Sequence, residues 1–152
     1  MTTILAMHTD ANKDFVAKAS ISIDSPTRKV WKALVTPELV SRYMFGATVE
    51  STWKPGDPII WKGEWKGKPF EDKGVVIEVQ PDHMLRYTHF SPLSGEPDVA
   101  ENYHTVTIEL SDHGRSTLVE LSQDHNLTEA SRAESERNWR VMLQGLKKTA
   151  EA

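Results

Sequence analysis

Hydrophobic and polar residues alternate along "FVAKASISI", where Phe15, Ala17, Ala19, Ile21 and Ile23 oppose Val16, Lys18, Ser20 and Ser22. A period of two sends successive side chains to opposite faces of an extended chain, and it predicts a half-buried strand. The pattern then changes. In "DSPTRKVWKALVTPELVSRYM" the apolar residues Val30, Trp31, Leu34 and Val35 recur at helical spacing. Two short helices are predicted: Ser25 is placed to cap the first with Pro26 at its opening position, and Thr36 with Pro37 repeats the device. From there to residue 125 the signal is strand and turn. "GATVEST", "DPIIWKGEW", "FEDKGVVIEVQ", "HMLRYTHFS", "NYHTVTIELS" and "STLVELSQD" read as strands. The breaks "PGDP", "KGKP", "QPDH", "SPLSGEPD" and "SDHGRS" carry Gly, Pro, Asp and Ser, the residues that turns select.

The last segment, "LTEASRAESERNWRVMLQGLKKTAEA", has no proline and is rich in helix formers, with Thr128 in position to cap it. A helix of about 22 residues is roughly 33 Å long, enough to cross a small sheet. Its apolar stripe is Trp139, Met142, Leu143 and Leu146, and continuing that stripe backward reaches Ser135, Glu136 and Arg132. Only the C-terminal half therefore has a core-facing side; the N-terminal half should border solvent or a pocket. The order of elements predicts an α+β fold in which a curved antiparallel sheet closes on one long helix and leaves a space between them.

Composition narrows the setting. With 152 residues and no internal repeat or Gly/Ser-rich linker, the chain should form a single domain over residues 14–152, preceded by a disordered tail over 1–13. It has no cysteine, which excludes disulfides, thiol catalysis and thiolate metal sites. A formal charge of −4 supplies no global positive field toward nucleic acid or an anionic membrane. Neither a signal peptide nor an apolar run of membrane-spanning length is visible. The expectation is a cytoplasmic monomer or weak dimer that does not insert into membranes.

The stretch "IIWKGEWKGKPF" tests the nucleic-acid reading directly. On a strand, Ile59, Trp61, Gly63 and Trp65 share one face, whereas Ile60, Lys62, Glu64 and Lys66 share the other. A stacking groove needs rings and cations along the same side, which this alternation does not offer. Trp61 and Trp65 are assigned instead to the concave side, as core or cavity wall. Gly63 between them marks a bulge or leaves room for a neighbour.

Together these segments form a pattern. "SPTRKVWKALVTPELVSRYM", the Trp-rich and Gly-rich strands, "EDKGVVIEVQPDHMLRYTH", "ENYHTVTIELS" and "NWRVMLQGLKK" resemble the SRPBCC superfamily, also called START-like or helix-grip. Within it, the chain resembles bacterial proteins related to the C-terminal domain of the activator of the heat-shock protein 90 ATPase. The likeness runs over about residues 14 to 149. It implies six or seven antiparallel strands wrapped around the C-terminal helix, two short helices after the first strand, and an internal apolar cavity. Members of that superfamily include carriers of lipid-like, steroid-like or polyketide-like molecules, cyclases, hydrolase-like enzymes and co-chaperones, so fold does not set function. The partners implied are a small hydrophobic or amphipathic ligand or, on the co-chaperone alternative, a chaperone whose ATPase it stimulates.

Candidate chemistry is sparse. None of the histidines forms an H-x-x-x-H pair, and there is no G-x-S-x-G, P-loop or G-x-G-x-x-G. No catalytic residue, metal ligand or cofactor is assigned. His8, His83 and His113 fall in the tail or in turns and read as solvent-exposed. His89 shares parity with Leu85 and Tyr87, and His104 with Val106, Ile108 and Leu110, so both histidines should face inward at the open end of a long hairpin. Either they are the polar handles of a pocket or they are ordinary strand residues satisfied by neighbours or water. Glu71 and Asp72 read as solvated surface. Tyr43, Met44 and Phe45 either gate the cavity or anchor the helix pair. The expected cavity wall is Trp61, Trp65, Tyr87, His89, His104, Val106 and Trp139.

Overall fold

The computed structural model describes residues 15–152, so the expectations for the tail, His8 included, lie outside the described residues. Ten principal elements follow one another: β1 (Phe15–Ile23), α1 (Thr27–Val35), α2 (Pro37–Tyr43), β2 (Thr48–Ser51), β3 (Pro58–Trp65), β4 (Lys68–Gln80), β5 (Met84–His89), β6 (His104–His113), β7 (Ser116–Asn126) and α3 (Glu129–Glu151). The strands form one antiparallel sheet in the order β1-β7-β6-β5-β4-β3-β2. This is the α+β helix-grip arrangement with seven strands. Because β2 to β7 meander and β1 joins at the far side, α1 and α2 carry the chain from one sheet edge to the other.

The sheet changes partners along β4. Its first part pairs with β3 as far as Val75, and from Val76 it pairs with β5, with a register shift between Val76 and Glu78. Gly74 permits the switch: a Cβ at this position would lie 1.7 Å from the Thr88 carbonyl oxygen, so only a residue without a side chain lets the two backbones meet. Gly63 does not mark a bulge. It leaves room, since a Cβ there would stand 3.0 Å from the ring of Phe70 and 3.3 Å from Ala47 Cα.

Val30, Leu34, Ile59, Val76, Val106, Leu143 and Leu146 lie at the centre of the core, between the concave sheet face and the helices. Where α3 passes α2, a Cβ on Gly145 would approach Tyr43 Cβ to 2.7 Å. The Tyr43 hydroxyl in turn donates to the Ala33 carbonyl at 2.7 Å. Tyr43 is therefore an anchor between the three helices.

Two cap expectations need correction. Ser25 does not cap α1: its hydroxyl donates to the Ala150 carbonyl at 3.1 Å, and its own carbonyl accepts from Thr117 Oγ1 at 2.8 Å. The side chain is used to tie the start of α1 to the end of α3. The N-cap position of α1 is Pro26, one residue later than expected. Thr36 does precede α2, with Pro37 in its first turn, but its hydroxyl makes no cap bond. At α3 the expectation holds, because Thr128 accepts from the Ser131 backbone while Ser131 Oγ accepts from the Thr128 N–H. This reciprocal bonding is a capping box.

Candidate functional site

The apolar stripe of α3 ends at half-buried Trp139, and beyond it Ser135 and Arg132 replace large hydrophobic groups. The sheet beneath continues to present side chains. A space results: an open-sided cavity of about 320 Å³ lined by Trp61, Phe70, Asp72, Tyr87 and His89 from the sheet and by Ser135, Asn138 and Trp139 from α3. Met44, Phe45 and Ala47, between α2 and β2, form its rim. Phe45 is 60% exposed there, with a left-handed φ of 55°. Below Trp61 and Tyr87 the core closes, and the void that remains between Leu34, Ile59, Leu85 and Ile108 is only about 30 Å³. That is room for about one water molecule.

The aromatic floor is ordered by contact. Trp61 lies 5.3 Å from Tyr87, tilted by 49°, and 5.1 Å from His89 in an edge arrangement at 68°. Burial pushes the Tyr87 phenol well above its ordinary range, so it is a neutral hydroxyl. The polar part of the wall is Asp72 and His89. Nε2 of His89 lies 2.9 Å from Asp72 Oδ2, while Asp72 Oδ1 is buried and has no hydrogen-bond partner among the described residues. This corrects the expectation that Asp72 is solvated. Asp72 stands directly opposite Trp61 across β3 and β4, so it shares the concave face with that ring, whereas Glu71 is exposed as expected.

On the helix side, Trp139 Nε1 donates to Gln123 Oε1, and Ser135 Oγ donates to Asn126 Oδ1 at 3.0 Å. Asn126 Nδ2 donates to the Phe15 and Gln123 carbonyls. These bonds fix the end of β7 against α3 and set the height of the cavity. None of Asp72, Gln123, Ser135 or Asn138 was assigned to the wall from the sequence, although the parity of Asp72 with Phe70 and of Gln123 with Leu121 pointed inward.

The remaining expected wall residues divide. His104 pairs with His89 in the ladder and their rings stack at 6.5 Å, 29° from parallel. His104 nevertheless lines a separate cleft of about 90 Å³, with Glu101, Asn102, His125 and Leu127; His89 borders both hollows. His104 Nδ1 donates to the Asp124 carbonyl at 2.8 Å, and burial holds the His104 imidazole below the ordinary range. Val106 is 1% exposed in the closed core and lines neither hollow. Trp65 ends β3 opposite Lys68, and its side chain lies outside the described residues. Tyr103 stacks on Phe90 at 5.1 Å and donates to Asp98 Oδ1 at 2.6 Å, away from the cavity. Among the described residues no group of His, Cys, Asp and Glu could hold a metal ion, and no helix is long and apolar enough to cross a membrane.

The sequence and the fold of helix and sheet match a known set of proteins. The sequence fits the family described as Activator of Hsp90 ATPase homolog 1-like protein, AHSA1, over residues 24–151. The chain belongs to that family. Among solved AHSA1-like and related folds, ChR145 from Cytophaga hutchinsonii is 52% identical, with a TM-score of 0.77 over 88% of this chain and 92% of that one. The Aha1 dimer from Colwellia psychrerythraea is 18% identical, with a TM-score of 0.69 over 90% and 96%. CalU16 from Micromonospora echinospora is also 18% identical, with a TM-score of 0.69 over 90% and 84%. The last two show the shared fold alone. No curated protein matches the chain.

Proposed function

We propose that this AHSA1-like protein binds a small amphipathic molecule with an aromatic, polyketide-like or lipid-like frame in the cavity between β3–β5 and the N-terminal half of α3. The observation that carries this reading is the cavity itself: about 320 Å³, open at one side, with aromatic rings above and below and polar groups gathered at Asp72 and His89. Ligand sites generally run from about 300 to 1,000 Å³ and combine apolar walls with a few convergent polar groups. A volume at the low end favours a compact fused-ring frame over a long acyl chain. The apolar part of the ligand would lie on Trp61, Phe70 and Trp139, with its polar end toward His89.

Binding is tested in two steps. Native mass spectrometry of the protein from its own cells, before and after denaturing extraction, looks for a stoichiometric small molecule. Intrinsic tryptophan emission is then titrated with 2-methoxynaphthalene, since Trp61 and Trp139 form the walls. Asn138 is an exposed cavity-lining residue of α3, so Asn138→Phe should occlude the space without unfolding the helix. Affinity should fall by about tenfold or more in that variant. No saturable emission change with 2-methoxynaphthalene or its hydroxyl analogue 2-naphthol, or the same affinity in both proteins, would reject the cavity as a ligand site.

A further inference from the structure

The hydrogen-bonding balance of the cavity wall is uneven, and the imbalance specifies the head group of the ligand. Two donors on the helix side are already committed: the Trp139 N–H to Gln123 and the Ser135 hydroxyl to Asn126. On the sheet side the surplus is of acceptors. Asp72 Oδ1 is buried without a partner among the described residues, and a buried acceptor left in that state costs on the order of 1–3 kcal/mol. His89 adds to the surplus. In the tautomer that donates Nε2–H to the Asp72 carboxylate, the ring presents Nδ1 as an acceptor. The amides of Gln123 and Asn138 and the neutral hydroxyl of Tyr87 carry both functions and decide nothing. Charge points the same way, because Asp72 is an acid and no lysine or arginine is among the described residues that line the space.

We infer that the Asp72–His89 pair is the anchor for a neutral hydroxyl donor, of the phenol or enol type, and that it discriminates against carboxylates on the same frame. A ligand hydroxyl gives its hydrogen to His89 Nδ1, or to Asp72 Oδ1 once a turn of the carboxylate brings that buried oxygen to the cavity. A carboxylate brings no donor and places a second negative charge beside Asp72 in a partly desolvated wall, where like charges repel strongly. Fatty acids and aryl carboxylates are thereby disfavoured, and hydroxylated fused rings favoured. This inference rests on the ligand-binding reading above and names the class of ligand for the same site.

The test uses three molecules of one shape, 2-naphthol, 2-methoxynaphthalene and 2-naphthoate, titrated against tryptophan emission at about pH 8, where an ordinary imidazole is neutral and a simple carboxylic acid ionised. 2-Naphthol should bind about tenfold tighter than its methyl ether, and 2-naphthoate weakest of the three. Asp72→Asn should lift the penalty on 2-naphthoate, with a thermal melt to verify folding. His89→Gln, as a second variant, should narrow the gap between 2-naphthol and its ether. If 2-naphthoate binds as well as 2-naphthol, or if both variants keep the wild-type order, the anchor is overturned while the cavity reading stands. If none of the three binds, the cavity reading falls and this inference falls with it.

Discussion

His89 and His104 stand directly opposite each other on β5 and β6 with stacked rings, yet only His89 also reaches the larger cavity. His89 is turned to the Asp72 carboxylate at the cavity wall, and His104 is held by the Asp124 carbonyl at an outer cleft. A shared rung of the ladder does not make them one site. The difference lies in what each ring nitrogen meets, and it separates an imidazole facing the larger cavity from one whose main effect is on stability.

For His104 that effect has a definite sign. Burial is the largest influence and lowers its pKa; the hydrogen bond to the Asp124 carbonyl opposes this, His89 and His125 add to the depression, and the Asp124 charge works against it. In the unfolded chain the imidazole takes a proton near pH 6.5, but in the folded protein only at lower pH. Between those values the unfolded state binds more protons, so stability is full above about pH 6.5 and declines as pH falls. Glu129, Glu136, Glu151 and Asp98 are held below their ordinary values by their partners, chiefly Arg132, the Lys18 N–H, Lys147 and Lys73 respectively, and their loss comes later in the acid range. Urea midpoints measured from about pH 7.5 to 5 should fall in the native protein and stay flatter in His104→Gln. Parallel curves would show that His104 does not contribute in this window.

Trp139 and Gln123 supply a second expectation. Gln123 is 8% exposed, and its carbonyl oxygen accepts the indole N–H. Trp139→Phe keeps most of the ring but strands that oxygen, at a loss of about 1–3 kcal/mol in urea unfolding. Adding Gln123→Leu removes the orphaned group, so the double variant should be more stable than Trp139→Phe alone. Additive losses in the two single variants would mean that the bond is not coupled.

What was readable in the sequence follows from the range of the forces involved. Strand parity placed Ala17, Ile59, Trp61, Tyr87 and Ile108 on the buried face because alternation is a local property of the backbone, and the end of the α3 stripe at Trp139 foretold an open space. Asp72 departs from the expectation of solvated surface because its place opposite Trp61 in the ladder, and not its charge, sets the side it faces. Ser25 has the identity of a cap, but its hydroxyl is claimed by Ala150, 125 residues away, and no local pattern announces that. The cleft that His104 borders is built from the connection between β5 and β6 and from His125 and Leu127, a juxtaposition that strand parity does not reveal.

Gly74 and Gly63 both stand on the concave side of the sheet, and their substitutions should differ sharply. An added methyl at Gly74 meets the Thr88 carbonyl at 1.7 Å, a backbone atom that cannot move without breaking the junction of β4 and β5. Gly74→Ala should lose about 3 kcal/mol or more, or fail to fold. At Gly63 the nearest atom is the Phe70 ring at 3.0 Å, and a side chain can yield by a few tenths of an ångström. Gly63→Ala should therefore lose about 1 kcal/mol and alter ligand affinity through Phe70, which lines the cavity. Equal losses in chemical denaturation would contradict this account of the two positions.

The N-terminal half of α3 roofs the cavity without an apolar stripe, so its order must come from elsewhere. Thr128 and Ser131 close its first turn, Arg132 pairs with Glu129 and Glu136, and Glu136 also accepts the Lys18 N–H at 3.1 Å. Such surface pairs are individually weak, and the cap is the strongest local restraint. Thr128→Ala should lower stability by about 1 kcal/mol. It should also speed amide hydrogen exchange in the first turns of α3 while leaving the turn around Leu143 and Leu146, which are buried, unchanged. Because Ser135, Asn138 and Trp139 come from this helix, a frayed roof should also weaken 2-naphthol binding by a few-fold. Uniformly faster exchange along the whole of α3 would mean that the helix opens as one unit, and the roof would then have no independent mobility through which to admit a ligand.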